Sequence, residues 1–191
     1  VTNPTFVAAL WMAGAIASFT TLAVAGRTVM ADLSTFELML WRSLIGLTII
    51  LVWIAATRRR GAFATDRLPL HFLRNIAHFA AQNLWFFAIA TLPLATVFAL
   101  EFTTPIWGLL LAPLFLGEKL TRRGLVSAAI GFAGVLLVAQ PGSASLSPGL
   151  LAAAACAVGF AVSIMITKIL TRHEPLISIL VWLHIMQTIF A

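Results

Sequence analysis

The sequence predicts an all-α integral membrane protein, a bundle of spanning helices, on three observations. Of its 191 residues, 61% are hydrophobic and 9% charged, against about 25% charged in an average soluble domain. The apolar residues fall into seven runs: about 6–26, 36–56, 70–90, 94–116, 123–140, 148–168 and, incompletely, 175–191. Each lies near the ~20 residues an α-helix needs to cross hydrocarbon. The cations gather in the short connections between runs, the usual place for orientation determinants. A lipid-facing span must satisfy its own backbone, so the runs read as helices; a barrel would show short alternating strands.

The first run lacks a basic leader and is long enough to span, so it does not read as a cleavable signal peptide. The connection after the second run carries Arg58, Arg59, Arg60 and Arg67, with Arg74 just inside the third helix. Lys119, Arg122 and Arg123 follow the fourth run, and Lys168 and Arg172 follow the sixth. Connections 91–96 and 140–148 are uncharged, and the only charged residues in 27–35 are Arg27 and Asp32. This asymmetry predicts a cytoplasmic N-terminus. Thr121 is positioned as the N-cap of the fifth helix. The chain starts without Met and stops inside an apolar run, so it reads as truncated.

The third run carries a polar stripe at helical spacing: His71, Asn75, His78, Gln82 and Trp85. This face is expected to line the bundle interior or a wet cavity, with Ser18 and Thr21 beside Gly14 on the first helix as a milder counterpart. The fourth run contains Glu101, Pro105 and Pro113. A charge at the bilayer centre costs roughly 2.5–3.5 kcal/mol on insertion scales, so Glu101 needs a partner or water. The prolines are tolerable where neighbours satisfy the freed carbonyls. By a rise of about 1.5 Å per residue, Arg42, Gln82, Asn83 and Glu101 all lie about 9–12 Å from one membrane surface.

Two roles remain open for that layer. Arg42 and Glu101 can form a structural ion pair that clamps two helices. Alternatively Glu101 carries a proton in a transport cycle, so that proton coupling runs through it, or Arg42 holds an anionic group. His78 reads as a hydrogen-bonded core histidine or a proton relay. Trp41, Trp85 and Trp107 read as packing or interfacial residues, or as walls of a site.

Small residues spaced by four predict close helix approaches at Gly14/Ser18, at Ser127/Gly131, and along Ala155, Gly159 and Ser163. The lone Cys156 excludes an intramolecular disulfide and multi-cysteine metal sites, and reads as a small packing residue. The net charge of +6 does not imply nucleic acid, because no basic helix or binding motif accompanies it. No G-x-S-x-G, H-E-x-x-H, P-loop or C-x-x-C occurs, so no catalytic residue, metal or cofactor is expected.

A weak repeat at an offset of 141 residues pairs Leu10 with Leu151, Phe19 with Phe160, Arg27 with Lys168 and Trp41 with Trp182. Five spans precede the copy, and an odd number inverts it; inverted repeats are a common construction of secondary transporters.

The run from Pro93 through Pro105 to Gly117-Glu118-Lys119-Leu120-Thr121, followed by the Gly124…Gly131-Phe-Ala-Gly134 helix, resembles the EamA domain of the drug/metabolite transporter superfamily. Arg42 matches an arginine common in that family's second helix. The resemblance covers a complete five-helix unit, residues 5–140, and the opening of a second, inverted unit, 147–191. It implies ten helices, truncated here after about seven, around a central substrate cavity in the bacterial inner membrane. Glu101 is not carried over from the family.

Together these readings predict a multi-pass secondary transporter in the lipid bilayer, exporting small amino-acid-like or amphipathic metabolites. Rocking of the two units would alternate access to a cavity lined by the first, third, fourth and sixth helices. Substrate or coupling candidates are Ser18, Thr21, Arg42, His78, Gln82, Asn83, Trp85 and Glu101. The readings from other classes are a membrane enzyme acting on a lipid-linked substrate and a non-transporting scaffold.

Overall fold

The computed structural model describes residues 4–58, 60–139 and 147–191. Arg59, most of the uncharged 140–148 connection and the division between the two expected units lie outside the described residues. The described chain forms eight α-helices: α1 (Pro4–Val29), α2 (Thr35–Thr57), α3 (Leu68–Thr91), α4 (Leu94–Glu101), α5 (Thr104–Leu116), α6 (Arg122–Ala139), α7 (Pro148–Leu170) and α8 (Leu176–Phe190). A short 3-10 helix, Arg60–Phe63, lies between α2 and α3.

Helix ends follow from local chemistry. Ser34 caps α2 in a capping box: its hydroxyl accepts from Glu37 N, and Glu37 Oε2 accepts from Ser34 N at 2.8 Å. Proline sits in the first turns of α3, α5 and α7, where a missing N–H breaks no helical bond. α5 ends at Gly117, in the left-handed conformation glycine adopts freely (φ 66°). Thr121 Oγ1 accepts from Gly124 N at 3.1 Å, the cap expected for α6.

The fourth run is not one helix. It breaks at Phe102–Thr103 into α4 and α5. Pro105 has no N–H for the carbonyl of Glu101, and its ring crowds that carbonyl. Thr103 takes up the slack, donating from its backbone N (3.0 Å) and its hydroxyl (2.6 Å) to Leu100 O. Pro113 lies inside α5.

Taking α4 and α5 as one element, four helices are long and apolar enough to cross a membrane: 4–29, 35–57, 94–116 and 148–170. α3 is long enough at 24 residues, but its polar stripe lowers its hydropathy. α6 begins with two arginines, and α8 is an apolar helix of 15 residues.

α3 is the centre of the bundle and packs most extensively on α7; α5 also packs on α7, and α2 on α8. The main core contains Met39, Trp85, Phe86, Ile89, Val97, Ala153 and Cys156. Cys156 is fully buried, with Sγ 3.1 Å from Ala153 O, and acts there as a small packing residue.

The small-residue ridges divide. Gly159 meets α3 so closely that a Cβ there would stand 2.9 Å from Ala81 Cβ. Ser163 is buried, whereas Ala155 is exposed. A Cβ at Gly14 would meet nothing within 4 Å, and Ser18, Ser127 and Gly131 are exposed. α1 instead approaches α3 through Gly26, which faces the ring of Phe86. Four-residue spacing is symmetric around a helix, and the large rings of α3 decide which face is drawn inward.

Arg27 is also more than a connecting charge. Its Nε donates to Ile89 O at 2.6 Å and its Nη2 to Leu92 O, so it satisfies carbonyls at the end of α3. A cation there also meets the negative end of the helix dipole.

Candidate functional site

A cavity of about 880 Å³ opens between α1, α3, the α4–α5 break and α7. These are the four spans that the sequence assigns to the cavity wall. α3 contributes Arg74, His78, Gln82 and Trp85, spaced by four, four and three residues along one face. Facing them from α7 are Phe160, Ser163, Ile164, Thr167, Lys168 and Thr171. The break contributes Glu101, Phe102, Thr104 and Pro105, and α1 contributes Phe19 and Leu22.

Glu101 ends α4, where the helix is interrupted, and its Oε2 accepts from Trp85 Nε1 at 2.7 Å. Trp85 is nearly fully buried, and its ring packs on Phe19 with centroids 5.1 Å apart. Phe19 also packs on Phe98, at 5.8 Å. His78 Nδ1 lies 3.4 Å from Ser163 Oγ, and its ring meets Phe160 edge-on at 5.8 Å. Arg42 lies behind this wall and donates from Nη2 to Gln82 Oε1 at 2.7 Å.

The expected ion pair between Arg42 and Glu101 is not formed. Among the described residues the ion pairs are His71–Glu174 and Lys168–Glu118. The reason is the position of α3: Arg42 from α2 and Glu101 from α4 meet successive positions of the α3 stripe, Gln82 and Trp85, rather than each other. The shared depth expected from the sequence is thus expressed as two separate hydrogen-bonded pairs.

Asn83 falls on another face of α3, where its Nδ2 donates to Phe79 O at 3.0 Å and its buried Oδ1 has no partner among the described residues. Ser18 and Thr21 are exposed and outside the cavity lining; one step around α1, Phe19 and Leu22 take the inner face. Ring packing against Trp85 outweighs the weak pull of two hydroxyls. Trp41 points outward at 59% exposure, and Trp107 donates to Thr103 Oγ1 at 3.2 Å.

The stripe on α3 serves two ends. His71 and Asn75 turn away from the cavity toward α8 and the turn before it. His71 Nε2 is 2.6 Å from Glu174 Oε2, and Thr65 donates to Glu174 Oε1 at 2.5 Å. Asn75 Nδ2 approaches Met186 Sδ, and Gln187 Nε2 donates to Asn75 O at 3.1 Å.

Glu174 lies outside the helices. Burial alone raises its pKa, but the Thr65 and His71 hydrogen bonds, with the charges of His71 and Arg67, leave it below its ordinary 4.5. A depressed carboxylate contributes stability above its unfolded pKa and loses it as pH falls through the folded value. Melting temperature is therefore expected to fall more steeply below pH 4.5 in the parent protein than in Glu174→Gln. Superimposable pH profiles would deny Glu174 this role. At the second ion pair, which is exposed, the Lys168 ammonium holds the Glu118 carboxyl low, at 2.8 Å; exposed pairs contribute little to stability.

Arg74 is the lining residue the sequence reading passed over, having counted it with the orientation charges. It is 8% exposed; Nε donates to Thr167 Oγ1 and Nη1 to Asn75 Oδ1, both at 3.1 Å. Its spacing, four residues before His78 and eight before Gln82, was the available signal. Ser163, Thr167 and Lys168 on α7 were likewise not singled out as lining residues; the four-residue spacing of Ser163 and Thr167 on a span was the available signal, with Lys168 directly after them.

The chain has named relatives. It is 34% identical over 149 residues to a riboflavin transporter of Brucella anthropi, covering 78% of this chain and 52% of the relative. It is 26% identical over 148 residues to an S-adenosylmethionine uptake transporter of Rickettsia bellii, covering 78% and 50%. An uncharacterized transporter of Helicobacter pylori shares 41% identity over 68 residues, 36% of this chain and 23% of its own. The chain spans about half the length of the first two relatives. No solved structure matches it significantly. The EamA-like transporter family matches residues 6–140, from α1 through the end of α6. That match takes in well over half of the chain, and the chain belongs to the EamA-like transporter family.

Proposed function

We propose that the full-length protein is a secondary carrier that moves a small metabolite with a planar aromatic part across the bacterial inner membrane. The observation that carries the reading is the 880 Å³ cavity, with Glu101 at a helix break and aromatic rings of Phe19, Trp85 and Phe160 nearby. Interrupted spans at mid-membrane are where secondary carriers place substrate and coupling ions. Rings and a few polar groups suit a planar heteroaromatic ligand. Riboflavin and S-adenosylmethionine, named for the relatives, both contain one.

In this reading residues 5–140 form one five-helix unit and 147–191 open a second, inverted one. The N-terminus is cytoplasmic, and the two units rock about the cavity. The relatives named for uptake favour inward movement over the export expected from the sequence. Glu101 is the proton-coupling candidate. Arg42 and His78 serve as supports of the cavity wall.

The test is uptake of labelled riboflavin and S-adenosylmethionine into proteoliposomes containing the full-length protein. Saturable flux that Trp85→Ala lowers is the expected result. Product formation without flux would instead favour an enzyme acting on a lipid-linked substrate. A protein that supports neither would be a scaffold.

A further inference from the structure

The charges around the cavity are not distributed evenly. Arg74 and Arg42 lie on α3 and α2, and the charges of both act on His78 and on His184 of α8. Among the described residues neither guanidinium has a carboxylate within ion-pair distance. Their partners are neutral: Thr167 and Asn75 for Arg74, Gln82 for Arg42. Three of the six acids have other partners: Glu174 pairs with His71, Glu118 pairs with Lys168 and Glu101 accepts from Trp85. From Arg74 to Trp85 is 11 residues along α3, about 16 Å at the helical rise.

A buried cation without a counter-charge is costly, and neutral hydrogen bonds offset only part of that cost. Arg74 also brings unused hydrogen-bond donors to this end. Arg74 uses Nε and Nη1, so its Nη2 makes no hydrogen bond among the described residues. Further along α3, eight residues from Arg74 and three from Trp85, Gln82 gives its Oε1 to Arg42, which leaves its Nε2 amino group as a donor. A donor-rich pocket built on a planar guanidinium fork matches carboxylate and phosphate oxygens, which only accept.

We propose that the Arg74 end of the cavity binds an anionic group of the substrate, a carboxylate or a phosphate, while its planar part lies toward Trp85 and Glu101. This rests on the carrier reading above and adds a charge requirement to it. Arg74 makes the contact.

Two matched pairs test the proposal in proteoliposomes of the full-length protein: riboflavin against riboflavin 5′-phosphate, and S-adenosylmethionine against its decarboxylated form. Within each pair the anionic group is the difference. The expected result is saturable flux in at least one pair, with the anion-bearing member favoured at least tenfold. Arg74→Gln should cancel that preference while keeping the flux of the member without the anion, and Arg74→Lys should retain part of it. Monodisperse elution of each variant separates loss of recognition from loss of folding. If Arg74→Gln does not fold, the parent's own preference within the pairs and the Arg74→Lys variant still decide. A phosphate preference without a carboxylate preference, or the reverse, identifies which oxyanion is read. Saturable flux with equal or reversed preference in both pairs would overturn anion recognition and leave the carrier standing. Absence of saturable flux for all four compounds would overturn both.

Discussion

Gly159→Leu is expected to prevent the bundle from assembling. A Cβ at position 159 would already stand 2.9 Å from Ala81 Cβ and 3.4 Å from Ala77 O. Neither neighbour is the end of a flexible side chain, so α3 and α7 must move apart to admit even a methyl group. Overpacking of that kind costs about 1–3 kcal/mol, and leucine adds three more carbons. The contact lies in the most extensive helix pair of the fold, and the same two helices supply most polar groups of the cavity. Gly159→Ala is expected to fold with a lowered melting temperature, whereas Gly159→Leu should lose its monodisperse peak in fluorescence-detected size exclusion. Parent-like elution and melting of the leucine variant would mean that α3 and α7 do not approach at this point.

Glu101→Gln is expected to cut proton-driven flux at least tenfold and to flatten its dependence on pH. The substitution is nearly isosteric, and the glutamine Oε1 can still accept from Trp85 Nε1, so folding is retained. It removes the group that can take and release a proton where the span is broken. Glu101 has no cation within ion-pair distance among the described residues, so its charge is not committed to a structural clamp. The measurement is initial flux in proteoliposomes from pH 5 to 8, with and without a proton gradient. An unchanged pH profile combined with lower thermal stability would assign Glu101 the purely structural task of holding Trp85.

The polar residues show where sequence reasoning stopped. His78, Gln82 and Trp85 were legible as one face because the helical repeat fixes which residues of a single helix share a side. Arg74 belongs to that face by the same arithmetic, but its nearness to the Arg58–Arg67 cluster disguised it as an orientation charge. Asn83 was grouped with Gln82 by depth, yet adjacent residues on a helix point about 100° apart, and its side chain turned back to Phe79. Ser18 and Thr21 lie outside the cavity lining for a different reason. Their face of α1 was chosen by polarity, whereas Phe19 decided the matter by packing on Trp85 and Phe98. The proline at 105 announced trouble in the fourth span, and the structure converts it into a break that leaves Glu101 at a helix end.

By itself the sequence determined the solvent, the all-helical class and the family pattern, because hydrocarbon demands long apolar helices and short charged connections whatever their arrangement. It also determined which α3 residues travel together. Tertiary structure alone decided the partners: Arg42 with Gln82 rather than Glu101, Glu101 with Trp85, and Glu174 with His71 across more than a hundred residues. Depth along a helix axis is a local quantity, fixed by counting residues. Which side chain fills the space opposite is set by how whole helices rotate to seat their largest rings, and that is a property of all of them at once.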